Sequence, residues 1–278
     1  MAGEPDGGRR RGPRKTLLIV LAVLVPVIPL AIGIAISVGQ PATGVAATTT
    51  TTVGFTPVGL GATAITKLKG STPTPASVPG GSGALVAQLQ HPTPLRASPG
   101  GHQLARLTTR TQFGSPEVLW VVNHVPGWLG VMSPQGGNNR VAWIAQSAAS
   151  LHRVPWEIKV SLPARRLTVL KGDQVVARYT VAVGAPGAPT PSGRFAVTDR
   201  LRTGDPAGPY GCCILALSAQ SPHAIQGWTG GNRIAIHSTP ETSSIGQAAS
   251  HGCVRVTLPD GRWLLAHIPL GTPALISS

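Results

Sequence analysis

The chain has 278 residues and a formal net charge of +14, from 23 Lys and Arg against 9 Asp and Glu. Its 35 Gly, 27 Pro and 12% charged residues argue against long amphipathic helices and for short strands, turns and linkers. Three cysteines cannot form a disulfide framework, and the basic excess lacks the aromatic-interleaved stripe or motif of a nucleic-acid binder.

Residues 1–15 form a basic tail that contains Arg9, Arg10, Arg11, Arg14 and Lys15. Residues 16–38 follow as an uncharged apolar run of a length that spans a bilayer. The basic cluster before it predicts a cytoplasmic N-terminus, with everything after Val38 on the extracytoplasmic side. The alternative is a cleaved signal peptide, with small residues near Gly44-Val45-Ala46 for cleavage. The length of the run favours an uncleaved single-pass anchor. Residues 39–83, rich in Thr, Pro, Gly and Ser, have too few aromatics and charges for a packed core and read as a flexible tether.

Residues 84–145 read as a small β domain. Turn signals at Ser98-Pro99-Gly100-Gly101, Phe113-Gly114-Ser115-Pro116, Pro126-Gly127 and Gly136-Gly137-Asn138-Asn139 separate short apolar strands over 103–107, 118–122, 128–132 and 141–144. Trp120, Trp128 and Trp143 serve either the core of such a domain or a ligand groove, and the area that a Trp buries favours core. Residues 146–155 read as a linker to a second β domain over 156–278. There, polar and apolar residues alternate over 157–162 and 166–170, Lys171-Gly172-Asp173 makes a turn, and a strand is expected over 175–183. Further strands are expected over 194–198, 214–218, 233–237 and 273–277. Thr257 and Asp260 form a capping box ahead of a helix.

The chemistry concentrates in two segments of this second domain. Ile234-Ala235-Ile236-His237-Ser238 precedes Ser250-His251-Gly252-Cys253-Val254-Arg255 by a short loop. A thiol needs a base to become a nucleophile, and an imidazole across such a loop supplies one, so Cys253 and His237 form the minimum for cysteine acyl transfer. Gly252 lets the backbone approach a substrate closely, which makes the N–H groups of His251, Gly252 and Cys253 candidates for holding an oxyanion. Adjacent Cys212 and Cys213 allow a vicinal disulfide or two small apolar fillers. No Cys-x-x-Cys or His-Glu-x-x-His spacing supports a metal site, and no cofactor motif is present.

The His, loop, Ser-His-Gly-Cys pattern, preceded by Val183-Gly184 and Thr190-Pro191-Ser192-Gly193-Arg194-Phe195, resembles the L,D-transpeptidase (YkuD) catalytic domain. The preceding small β domain resembles bacterial SH3-like modules loosely. The resemblance implies a mostly β architecture: a YkuD-like β-sandwich, a small SH3-like domain and an N-terminal transmembrane helix. It implies a membrane-anchored enzyme that cross-links peptidoglycan tetrapeptide stems through a Cys253 thioester, is sensitive to carbapenems, and uses no metal or cofactor. It carries the orienting role for the His237 ring onto the carbonyl of Ser238. Arg255 stands where a guanidinium could take a substrate carboxylate, with a plain surface Arg as the other reading. Two other functions stay open from the sequence: a cell-wall cysteine carboxypeptidase with water as acceptor, and a non-catalytic wall-binding protein.

Overall fold

The computed structural model describes residues 80–222 and 231–278. The expected basic tail, transmembrane anchor and most of the tether lie outside the described residues. Among the described residues no helix is long and apolar enough to cross a membrane.

The first sheet is built from β1 (Ala84–Leu89), β2 (Thr93–Arg96), β3 (Gln103–Leu107), β4 (Val118–Val125), β5 (Trp128–Met132), β6 (Ala142–Ala145) and β7 (Ala149–Val154). Its strands run in the order β3-β2-β6-β5-β4-β1-β7, with every neighbouring pair antiparallel. Leu95, Leu119, Leu129, Val131 and Ile144 fill its core without solvent contact. The expected linker over 146–155 is corrected here. Its residues 149–154 form β7, which pairs with β1 over six residues from Ala84↔Val154 to Leu89↔Ala149. The mixed polar sequence Ser150-Leu151-His152-Arg153 reads as loop because an edge strand buries few of its side chains, and its stability comes from the ladder. Strands β1 and β2 also escape the sequence reading.

The second sheet holds β8 (Trp156–Ser161), β9 (Arg166–Lys171), β10 (Gln174–Thr180), β12 (Gly193–Arg202), β13 (Cys213–Gln220), β14 (Arg233–Ser238), β16 (Val254–Val256) and β17 (Pro273–Ser277). A separate parallel pair joins β11 (Val183–Gly184) and β15 (Ala248–Ser250). The large sheet has the order β10-β9-β8-β17-β12-β13-β14-β16, parallel at β8/β17 and β14/β16 and antiparallel elsewhere. Alternation does what it predicts: Ile158 and Val160 go inward while Lys159 stays out, and Leu167 and Val169 meet them in the core. The single strand expected over 175–183 is divided. Beyond Thr180 the backbone leaves β9, and Val183 turns to pair with Ala248.

Helix α1 (Leu258–His267) begins at Thr257, whose hydroxyl accepts from the Asp260 N–H at 3.3 Å. Leu264 and Leu265 bury its inner face, and it packs on β13 and β14. The two sheets meet at Val86, Val118 and Val154, which pack with Trp156 and Leu270. The contact is close: a Cβ on Gly271 would lie 2.7 Å from Val86.

Candidate active site

The parallel pairing of β14 with β16 decides which side chains meet. Ile236 lies opposite Val254, His237 opposite Arg255 and Ser238 opposite Val256. Successive side chains alternate across a sheet, so Ile236, Val254 and Val256 enter the core. Ala235, His237, Cys253 and Arg255 belong to the opposite face. On that face Cys253 packs with Ala235 and with Ile214, which lies across from His237 on β13. Tyr210 leans against the same cluster, its ring edge-on to His237 at a centroid distance of 5.0 Å.

His237 is buried, and its Nδ1 lies 2.8 Å from the carbonyl oxygen of Ser238. A carbonyl only accepts, so Nδ1 carries the proton and Nε2 is left with its lone pair. Burial disfavours the imidazolium and pulls the ring down to about 4, despite the opposing help of the Ser238 carbonyl. Ser238 is itself tightly held. Its Oγ accepts from the Cys213 N–H at 3.1 Å and sits 3.4 Å from Cys212 Sγ. Gly211 and Gly261 crowd it, for a Cβ at either position would fall within 2.6 Å of Ser238 atoms.

Cys253 is the free cysteine and is buried; Cys212 and Cys213 are joined in a disulfide. Burial pushes the Cys253 thiol up to about 11, more than a contact with the Ala235 backbone and the Arg255 charge pull it down. At neutral pH the two groups on this face therefore rest as a thiol and a neutral imidazole. The loop before Cys253 is pinned by the buried Ser250, whose Oγ donates to the Cys253 carbonyl at 2.6 Å and accepts from the Gly252 N–H at 3.1 Å. Gly252 needs to be glycine, with φ +115° and only 2.9 Å from a built Cβ to Ile234 Cδ1. Its N–H is engaged by Ser250, which removes it from the three oxyanion donors expected from the sequence.

Arg255 lies next along β16. Its Nη1 is 3.3 Å from Glu241 Oε2, and its buried Nε has no hydrogen-bond partner among the described residues. The partner Glu241 is largely exposed, so this ion pair is open to exchange with a carboxylate from solvent.

The model of the YkuD L,D-transpeptidase catalytic domain matches residues 155–276. YkuD of Bacillus subtilis (strain 168) is 34% identical over 126 residues, 45% of this chain and 68% of that protein. The chain belongs to the YkuD L,D-transpeptidase family. YkuD of Bacillus licheniformis is 36% identical over 124 residues, 45% of this chain and 67% of that protein. Among solved structures, an Enterococcus faecium L,D-transpeptidase is similar with a TM-score of 0.35 and 21% identity, over 45% of this chain and 50% of that one. A Mycobacterium smegmatis L,D-transpeptidase gives a TM-score of 0.38 and 16% identity over 71% of this chain and 100% of that one.

In this YkuD domain the residues singled out from the sequence fall together. Cys253, His237, Ser238 and Arg255 lie on or beside two paired strands, and His251 is exposed on the loop between β15 and β16. Three further residues belong with them. Ser250 fastens the loop, Tyr210 covers the imidazole, and Cys212 touches Ser238. The Ser before His-Gly-Cys was legible as part of the motif, but its two hydrogen bonds were not. Tyr210 is 27 residues before His237 and carries no spacing signal. Among the described residues no three His, Cys, Asp or Glu side chains gather as metal ligands.

Proposed function

We propose that the chain is a peptidoglycan L,D-transpeptidase that works through a Cys253 acyl-enzyme on tetrapeptide stems. The observation that carries this reading is the fixed tautomer of His237. With Nδ1–H held by the Ser238 carbonyl, Nε2 is the basic nitrogen on the face that Cys253 shares. As the sulfur attacks the carbonyl of the third stem residue, its proton passes to His237 Nε2 and the carbonyl oxygen becomes an oxyanion. The N–H groups of His251 and Cys253 are the remaining donors for that charge. Collapse expels the terminal D-residue, whose amine takes the proton from His237, and leaves a thioester. An amine from a neighbouring stem then attacks, gives its proton to the same nitrogen, and regenerates the thiol. The Arg255 guanidinium, exchanging its exposed Glu241 partner for a substrate carboxylate, would fix the stem in register.

A neutral resting pair suits this order of events. Neither partner is stabilised as an ion in the buried site, so proton transfer accompanies attack rather than preceding it. The anchor expected over 16–38 would hold the domain on the outer face of the membrane, beside the wall.

The test is the intact mass of the protein after incubation with a carbapenem, beside a Cys253→Ala variant, followed by product analysis on tetrapeptide muropeptides. The reading requires a covalent adduct on the wild type alone and cross-linked dimers among the products. Tripeptide stems without dimers would assign water as the acceptor and make the enzyme a carboxypeptidase. No adduct and no product from either protein would leave a wall-binding role.

A further inference from the structure

The turn between β5 and β6 ends in two consecutive asparagines, Asn138 and Asn139, that reach out of the first sheet into the second. Asn138 Nδ2 donates to the Gln220 carbonyl at 2.7 Å, and its Oδ1 accepts from the Gln220 N–H at 2.8 Å. Asn139 Nδ2 donates to the Ser192 carbonyl at 3.0 Å, and its Oδ1 accepts from the Arg194 N–H at 2.9 Å. Each carboxamide therefore acts as one more peptide group in a ladder, using its donor and its acceptor on the main chain of the other sheet. The fit is specific. Asn139 adopts φ 58°, a left-handed conformation that Asn tolerates better than most residues. Gly193 faces it at φ +135°, where a Cβ would fall 1.7 Å from Asn139 Oδ1.

What these two clamps hold is the frame of the catalytic loop. Ser192 and Arg194 close the segment 184–193. At its other end this segment is tied to the loop of Cys253, through Gly184 pairing with Ser250 and the Ala185 N–H donating to the Ser250 carbonyl at 2.8 Å. Midway along it, the carbonyl oxygens of Ala188 and Pro189 lie 3.7 and 3.6 Å from where a Cβ on Gly252 would be. Gln220 ends β13. Its neighbour Ser221 exchanges hydrogen bonds with Asn232, with Ser221 N–H to the Asn232 carbonyl at 2.7 Å and Asn232 Nδ2 to the Ser221 carbonyl at 3.0 Å. Asn232 in turn leads into β14 and His237. One asparagine thus fixes the wall that touches Gly252, and the next fixes the wall that leads to the base. Between them lies a cleft of about 420 Å³, with Pro189 and Pro191 on one side, Ser221, Pro222 and Asn232 on the other, and Asn138 at the junction.

We propose that Asn138 and Asn139 are positioning residues for the transpeptidase reaction, supplied by the first sheet, which set the spacing of the two walls and so the grip on an extended stem peptide. The inference rests on the transpeptidase reading above. It makes the first sheet part of the catalytic unit rather than a passenger on it.

The experiment compares the full chain with its Asn138→Ala/Asn139→Ala variant and an Asn139→Asp variant. Four quantities are read: alkylation of Cys253 by iodoacetamide, KM and kcat on a tetrapeptide stem, and the thermal midpoint. Iodoacetamide needs only an accessible sulfur that can lose its proton, whereas the peptide needs both walls. The double variant should keep its alkylation rate within about twofold while KM for the peptide rises by about tenfold or more, the scale at which small misplacement of a bound substrate tells. Asn139→Asp keeps the acceptor for the Arg194 N–H and should recover part of that loss. Unchanged KM and kcat with a lowered midpoint would reduce the clamps to packing and overturn the proposal. Parallel loss of alkylation and turnover would show a collapsed site and overturn it equally. A wild type that alkylates but turns over no stem peptide would refute the transpeptidase reading, and the positioning role would fall with it.

Discussion

Two buried groups should pull the pH dependence of stability in opposite directions, and single substitutions should separate them. Glu117, immediately before β4, is only 4% exposed and faces Asp199 of β12 and Arg233 of β14. Burial first, and then the Asp199 charge, lift its carboxyl from 4.5 to about 7, against the pull of Arg233. The folded protein therefore keeps a proton that the unfolded chain releases, and this contribution is greatest below pH 4.5 and is lost as pH rises to 7. His237 behaves the other way. Its ring falls from 6.5 to about 4, so the unfolded chain takes up a proton that the folded state refuses, and stability falls as pH drops through that window. Each gap of about two and a half pH units corresponds to about 3 kcal/mol. The wild type should be nearly flat from pH 4.5 to 6.5. Glu117→Gln should expose the histidine limb, with stability rising by about 3 kcal/mol, or roughly 6–12 °C in Tm, between pH 4 and 6.5. His237→Gln should expose the glutamate limb and lose stability from pH 4.5 to 7. Thermal or urea unfolding across pH 4–8.5 measures all three. Parallel curves for the two variants would refute the assignment of these groups.

The remaining expectations concern the thiol and its loop. Alkylation of native Cys253 by iodoacetamide should climb about tenfold per pH unit through neutrality without a plateau, because the thiol is held up at about 11; a plateau near pH 7 would mean a preformed thiolate. Ser250→Ala removes both hydrogen bonds that fasten the loop and leaves a buried N–H unpaired. It should cost about 2–4 kcal/mol in unfolding free energy and slow carbapenem acylation; unchanged acylation would show that the loop holds itself. Denatured, unreduced protein should take one alkyl group and reduced protein three, since Cys212 and Cys213 are paired. Mass spectrometry counts them, and three without reductant would contradict the disulfide.

Much of this site was legible because its logic is local. His237 and Cys253 stand in segments whose residue types point to acyl-transfer chemistry, and alternation along β14 and into β16 puts both on one face. The strands Gln103–Leu107, Trp128–Met132 and Pro273–Ser277 match the sequence expectation because turn residues bracket them. What was hidden is what depends on distant partners. Residues 149–154 look like a linker until β1 lies beside them. Glu117 looks like a surface acid until Asp199 and Arg233, 82 and 116 residues further on, enclose it. Gly136-Gly137-Asn138-Asn139 is a correct turn signal, yet nothing in it announces that both carboxamides are committed to another sheet.

The same dependence explains why the buried pair can stay neutral without losing its geometry. An ion pair would hold Cys253 and His237 together by attraction; a thiol and an imidazole attract one another weakly, so their placement has to come from elsewhere. Here the main chain supplies it. The imidazole is oriented by the Ser238 carbonyl, Ser238 is locked by the Cys213 N–H, and the thiol is held by a loop tied to Ser250 and by the β14/β16 register. On the proposed mechanism, electrostatic stabilisation would thereby be kept for the transition state, where an imidazolium and an oxyanion would form together in a site that favours neither at rest. This argues that substitutions loosening the frame should damage catalysis more than they damage the intrinsic reactivity of the sulfur.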